Sequence, residues 1–427
     1  MDEHPTSETA RRIVIIGGGT AGTMVANKLR RRLPPDTWAI TVIDRYNYHL
    51  YQPGLLFVPF GKYSRRELTK PRRAFLDRGV DLLLDSVDRV DPGARTVTVH
   101  GGEELAYDIL VIASGTAPRP DQTPGMLSPQ WRKTVFDFYT MEGALALREA
   151  LREWRGGKLV VHVVEMPIKC PVAPLEFTFL ADAFFTNRGV RAATEITYVT
   201  PLDGAFTKPV AAARLGALLT RRRIHVETDF VTDFIDDERR QLVSMDERRV
   251  PFDLLVTVPL NMGADYVAAS GLGDELNYIP VDRHTLAARE WPEIFVIGDA
   301  SDIPASKAGS TAHFAAHTVV RNVLARIAGR EPTGDFDGHA NCFVETGNGK
   351  GLLLDFNYDV EPLPGHFPVP KIGPFRLLTE SRLNHIGKLA FRWMYWRLLL
   401  RGRPIPLPNR MTMHGKTPAA ELTAQRS

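Results

Sequence analysis

A chain of 427 residues, 44% hydrophobic and 24% charged, can bury the cores of two or three domains, which excludes a disordered or fibrous protein. Two cysteines cannot staple a small secreted domain, and MDEHPTSETARR lacks the apolar stretch of a secretory signal, so a reducing cytosol is expected. The formal charge of +3 is uneven: residues 376–427 carry ten Lys or Arg against Glu380 and Glu421, so the tail holds +8 and the rest of the chain −5.

Residues 11–22, RRIVIIGGGTAG, predict a buried strand, then Gly17-x-Gly19-x-x-Gly22 running into the helix TMVANKLRRRL. These glycines permit a tight turn and a close approach to a pyrophosphate at the helix N-terminus. WAITVIDR supplies a second strand ending at Asp44, where an acid meets ribose hydroxyls. The order strand, glycines, helix, strand, acid predicts a dinucleotide-binding unit. GVDLLLDSVDRVDPGARTVTVHGGEELAYD reads as a small antiparallel insertion, and YDILVIASGTAPRP returns to the first sheet at Ser114-Gly115.

A second α/β unit begins with the strand GGKLVVHVVEM, the helix PLEFTFLADAFFTNRG and the strand EITYVTP. Its first turn is MPIKCPVAP, where Pro167, Pro171 and Pro174 remove amide donors that a nucleotide would need. Cys170 stands where nicotinamide phosphates would bind. PEIFVIGDASDIPASKAG, ending its strand at Gly298-Asp299, then completes the first unit. The predicted class is α/β with two Rossmann-like domains: 10–120 with 285–330 as a discontinuous FAD-binding domain, and 121–284 as the second, with its degenerate turn. Residues 331–427 are expected to form a C-terminal membrane-associating segment.

In that segment, Leu383, Ile386, Leu389, Ala390, Trp393 and Met394 share one helical face, and Asn384, His385, Lys388 and Arg392 the opposite one. Too short and charged to span a bilayer, this helix suits a membrane interface, whereas a domain-docking helix is the plain alternative. No zinc spacing or basic helix interleaved with aromatics suggests nucleic acid. A disordered tail is expected from about Lys416. His313 and His317, four apart, could hold a metal but lack a third ligand, so no metal is expected. Glu165 could be a base beside Cys170 or simply cap its loop. His339 could tune Cys342 or be a plain loop histidine, and Phe343 with Tyr358 could sandwich a planar ring or belong to the core.

The N-terminal glycines with Asp44, YHLYQPGLLFVPFG, ILVIASG, FVIGDASDIPASKAG and, above all, KCPVAPLE and NCFVETGNGKG give the chain a resemblance to the sulfide:quinone oxidoreductase family. That resemblance implies FAD, with Gly17, Gly19 and Gly22 at its pyrophosphate and Asp44 at its ribose. It places Gly115 and Asp299 along the cofactor and Lys307 near the flavin ring. Cys170 and Cys342 then face the flavin as a disulfide or sulfur-bridged catalytic pair. The substrates implied are sulfide and a membrane quinone, ubiquinone or menaquinone, on the cytoplasmic membrane, with homo-oligomerisation open. Three other readings are a flavin subunit feeding a cytochrome, a quinone-reducing NADH dehydrogenase, and a flavin redox sensor without turnover.

Overall fold

Ile13 to Ile16 are all buried, the pattern of a strand covered on both faces, and they form β1 (Arg11–Ile16). The computed structural model describes residues 10–369, 371–405 and 408–417. The start of the N-terminal run read for a secretory signal, up to residue 9, lies outside them. So do residues 418–427 of the expected tail.

Strand β1 pairs in parallel with β2 (Trp38–Ile43) and, on its other edge, with β4 (Ile109–Ile112), while β3 (Asp81–Leu83) joins β2. The distant β10 (Ile294–Val296) pairs with β4, giving the order β10-β4-β1-β2-β3. Helix α1 (Thr20–Arg30) leaves the end of β1, so the chain reverses direction across the sheet there, where such sheets bind ligands. A three-stranded antiparallel sheet over Val87–Ala106 is the insertion.

A second parallel sheet repeats the plan. It contains β5 (Val135–Phe136), β6 (Gly157–Val163), β7 (Thr194–Val199), β8 (His225–Glu227) and β9 (Leu254–Val258), in the order β5-β9-β6-β7-β8. Here β6 takes the place of β1, and the turn after it leads into α2 (Ala173–Asn187). Helix α3 (Gly309–Ile327) follows β10 and packs on α1.

A third sheet, β11-β12-β14-β13, is built from β11 (Ala340–Gly347), β12 (Lys350–Phe356), β13 (Gly365–Phe367) and β14 (Phe375–Leu377). It carries Cys342 in β11, which packs against α2. Helix α4 (Arg382–Met394) lies across it and passes into a π-helical turn, Tyr395–Leu399, where Arg397 breaks the amphipathic pattern.

The polarity of α4 is inverted relative to a core-packing helix. Leu383, Ile386, Leu389 and Trp393 are exposed, Trp393 by 64%. Its polar face turns inward: Asn384 is fully buried, Lys388 reaches Glu176, and Arg392 pairs with Glu67 at 3.4 Å. Among the described residues no helix is long and apolar enough to cross a membrane.

The expected disorder from Lys416 is corrected at its first residues. Lys416 forms a β-bridge with Gly365, and its side chain, 2% exposed, meets Asp355 at 2.5 Å. A buried carboxylate attracts that ammonium and orders the strand around it.

Candidate active site

The turn Gly17–Gly22 is shaped by contacts that only glycine permits. A Cβ on Gly22 would sit 1.9 Å from the Gly17 carbonyl oxygen, and one on Gly17, whose φ is +97°, would sit 2.5 Å from that of Ala113. At Gly19 the space is open, and α1 begins with no side-chain cap, leaving its first amides free for a phosphate. Asp44 accepts from Gly18 N at 2.8 Å and Tyr46 N at 2.9 Å, and pairs with buried Arg72 at 3.1 Å. Arg72 is a member of this cradle that the sequence did not flag. The C-terminal segment closes over the same turn, because Tyr395 Oη meets Thr20 Oγ1 at 2.7 Å and His49 Nε2 at 2.5 Å.

Gly115, at φ +67°, follows β4. Next to it, Thr116 O accepts from Lys169 Nζ at 3.0 Å. Lys169 and Lys307 flank Asp299 and hold its carboxyl down, but burial outweighs them and raises it. Lys307 is buried, donates to Ser301 O, and lies 4.6 Å from the Tyr278 ring; burial pushes it down to about 8. Three charged groups thus line one wall at the end of β10.

The two cysteines converge on the loop before α3. Cys170 N donates to Lys307 O at 2.7 Å, and Asn341 N, next to Cys342, donates to Ser310 Oγ at 3.2 Å. The Cys342 thiol lies near the Ser306 and Ser310 hydroxyls, and each thiol is close enough to Glu176 and Lys388 to feel their charge. Cys170 and Cys342 are two free thiols here, not a disulfide. Burial raises both, Cys342 to about 11 and Cys170 further. Cys170 holds a left-handed φ of +49°, in a turn closed by Ala173 N on Cys170 O at 2.8 Å. Such backbone costs energy for any residue with a Cβ.

Glu176, six residues after Cys170, is fully buried, and its Oε1 accepts from Glu345 N at 2.6 Å and from Lys388 Nζ. Burial raises it to about 7, against the pull of Lys388. Lys388 also donates to Phe343 O at 3.0 Å. Beside them, His385 Nδ1 lies 2.9 Å from both oxygens of buried Glu345. Sequence reasoning missed this cluster, although an acid inside the apolar run PLEFTFL was a usable signal.

Other expected residues are placed elsewhere. Glu165 is exposed and accepts from its neighbour Met166 N at 2.8 Å, the loop-capping contact that was the alternative to a base. His339 gives Nε2 to Asp355 at 2.7 Å and stacks on Phe314 at 4.0 Å, bound to an acid instead of a thiol. Phe343 packs on Phe375, while Tyr358 packs on Phe336 and His284; the two do not form one sandwich. His313 and His317 are 5.4 Å apart, and among the described residues no group of three or more metal-binding side chains occurs.

Comparison with known proteins agrees with this architecture. The family described as pyridine nucleotide-disulphide oxidoreductase matches residues 11–164. A mitochondrial sulfide:quinone oxidoreductase of Mus musculus is 22% identical over 93% of this chain and 88% of its own length. That of Schizosaccharomyces pombe is 25% identical over 92% and 91%. The crystal structure of the sulfide:quinone oxidoreductase from Aquifex aeolicus superposes with a TM-score of 0.76, at 20% identity and 92% coverage of each chain. The chain is a flavoprotein oxidoreductase with this two-Rossmann fold, and its cofactor is FAD.

Proposed function

We propose that this homologue of the sulfide:quinone oxidoreductases oxidises sulfide through Cys170 and Cys342 and delivers the electrons to a quinone in the membrane. The observation that carries the reading is the meeting of both cysteines at the loop Ser306–Ser310, beside the Asp299 and Lys307 wall.

The open cradle at Gly19, the free amides of α1 and the acid Asp44 fit the pyrophosphate and ribose of FAD, and Gly115, Asp299, Lys169 and Lys307 fit its ring end. Bound there, FAD supplies a two-electron acceptor that quinone can reoxidise. The chain's own contribution is sulfur and proton chemistry. When the pair is oxidised, hydrosulfide attacks one sulfur, the disulfide bond breaks, and one persulfide and one thiolate remain. Glu176 can exchange the proton involved near neutral pH, and Lys388 and the serine hydroxyls stabilise the thiolate. The proline-filled turn at Cys170 disfavours a pyridine nucleotide at the second sheet.

The outward apolar stripe of α4 supports docking on the bilayer where quinone dissolves, rather than against another domain of this chain. The deciding experiment is an anaerobic sulfide titration of the purified flavoprotein, followed by a soluble quinone. Flavin bleaching and recovery are expected. Cys170→Ser and Cys342→Ser should each slow bleaching by at least a hundredfold, and bleaching at the original rate in either would end the proposal.

A further inference from the structure

Lys28 lies on α1 and is only 4% exposed. A buried ammonium is costly unless an acid or several hydrogen-bond acceptors compensate it. Its one recorded partner is His317 Nε2 at 3.3 Å, and among the described residues no acid pairs with it. The charges that weigh on Lys28 are Arg32 and Arg31, and with burial they bring it down to about 8. Arg31 is occupied by Asp77 at 2.8 Å. Arg32 spends one nitrogen on Lys28 O at 2.9 Å, and its remaining donors have no partner among the described residues.

These groups face one cavity. Its volume is about 190 Å³, room for several waters at about 30 Å³ each, and it is lined by Lys28, Arg32, His317, Val320, Arg321 and Leu324. No lining residue is acidic, although Arg321 is paired with Asp335 outside the lining. His317 stays neutral at physiological pH, because burial and Lys28 push it to about 4. It can donate or accept through the ring without adding charge.

We propose that this cavity binds the phosphate group of an anionic ligand, held by the Lys28 ammonium and the Arg32 guanidinium with His317 as a neutral hydrogen-bonding wall. Lysine and arginine together match the oxygens of a phosphate monoester or diester, the arginine through its planar fork. The site also has an address. Asn27 donates to Leu400 O at 2.9 Å, Arg31 donates to Gly402 O at 3.1 Å, and Gly402 packs against the Lys28 stem. The wall of the cavity is therefore met by the segment that leaves the outward-facing α4. A phospholipid headgroup is one source of the phosphate and a free phosphate compound the other; only the lipid source rests on the membrane reading above.

The test uses the FAD-loaded full chain, so that the cofactor cradle cannot take the probe. Inorganic pyrophosphate is titrated by calorimetry, and binding is compared for vesicles of phosphatidylcholine with and without phosphatidic acid. Lys28→Met and the surface change Arg32→Gln are each expected to weaken the responding probe at least tenfold, with sulfide-driven reduction of a soluble quinone unchanged as the check on folding. Wild-type binding should also weaken as the pH rises past about 8, where Lys28 loses its proton. A response to pyrophosphate identifies a free ligand, and a response to phosphatidic acid vesicles alone identifies a headgroup. If both variants bind each probe as the wild type does, or the wild type binds neither, the cavity is no phosphate site, whatever becomes of the sulfide chemistry.

Discussion

In the proposed chemistry Glu176 sets the pH response of the thiol site. Its folded pKa of about 7 lies above the ordinary carboxylate range, so the native state keeps a proton that the unfolded chain releases near 4.5. Stability from this group is full below about 4.5 and declines as pH rises toward 7. Glu176→Gln should remove that decline from a urea-denaturation series, and it should slow sulfide-driven flavin reduction by about a hundredfold at neutral pH. Taking the ratio of the two enzymes' pH profiles cancels the titration of hydrosulfide itself. Cys170 shows the opposite balance of structure and function. Its left-handed φ favours glycine, so Cys170→Gly should be about 1 kcal/mol more stable than Cys170→Ala by chemical denaturation, while both lose sulfide oxidation.

At the scale of elements, α4 carries the main surprise. Its apolar stripe was readable from a period of 3.6 residues, but not the side it faces. Charge pairing decides that: Lys388 is drawn to Glu176, His385 to Glu345, and Arg392 to Glu67, turning Leu383, Ile386 and Trp393 outward. The double change Ile386→Glu with Trp393→Glu should lower binding to neutral vesicles at least tenfold, read by flotation, and leave activity with a soluble quinone intact. The strand around Lys416 is held by the same kind of force. Lys416→Met leaves the Asp355 carboxylate buried with only His339 and Asn341, at a cost of about 3 kcal/mol in unfolding free energy. The end of the chain reads as a disordered tail in sequence because sequence does not reveal a buried acid waiting in β12.

Across the whole molecule, the repetition of one sheet plan with different turns separates two chemistries. After β1, glycines leave amides free; after β6, prolines remove them and a cysteine takes the site. NADH added anaerobically should therefore leave the flavin oxidised over a period in which sulfide bleaches it fully, as followed by absorbance. The strands, the glycine turn, the acid after β2 and the two cysteine segments were legible in the sequence, because each depends on neighbours within one element or one turn. The acid proposed to exchange the proton was not. Glu165, open to either a base or a loop cap by its nearness to Cys170, is exposed, whereas Glu176 is buried and bonded to Lys388, 212 residues away. Arg72 on Asp44, Lys169 beside Asp299 and the buried ammonium of Lys28 beside His317 escaped for the same reason. Sequence by itself determined which segments are strands and helices and which carry sulfur, since local periodicity and backbone freedom are properties of adjacent residues. Tertiary structure alone decided which acid is desolvated, which face of α4 meets the outside and which buried cation has no acid beside it among the described residues, because burial and charge compensation are set by groups brought together from distant parts of the chain.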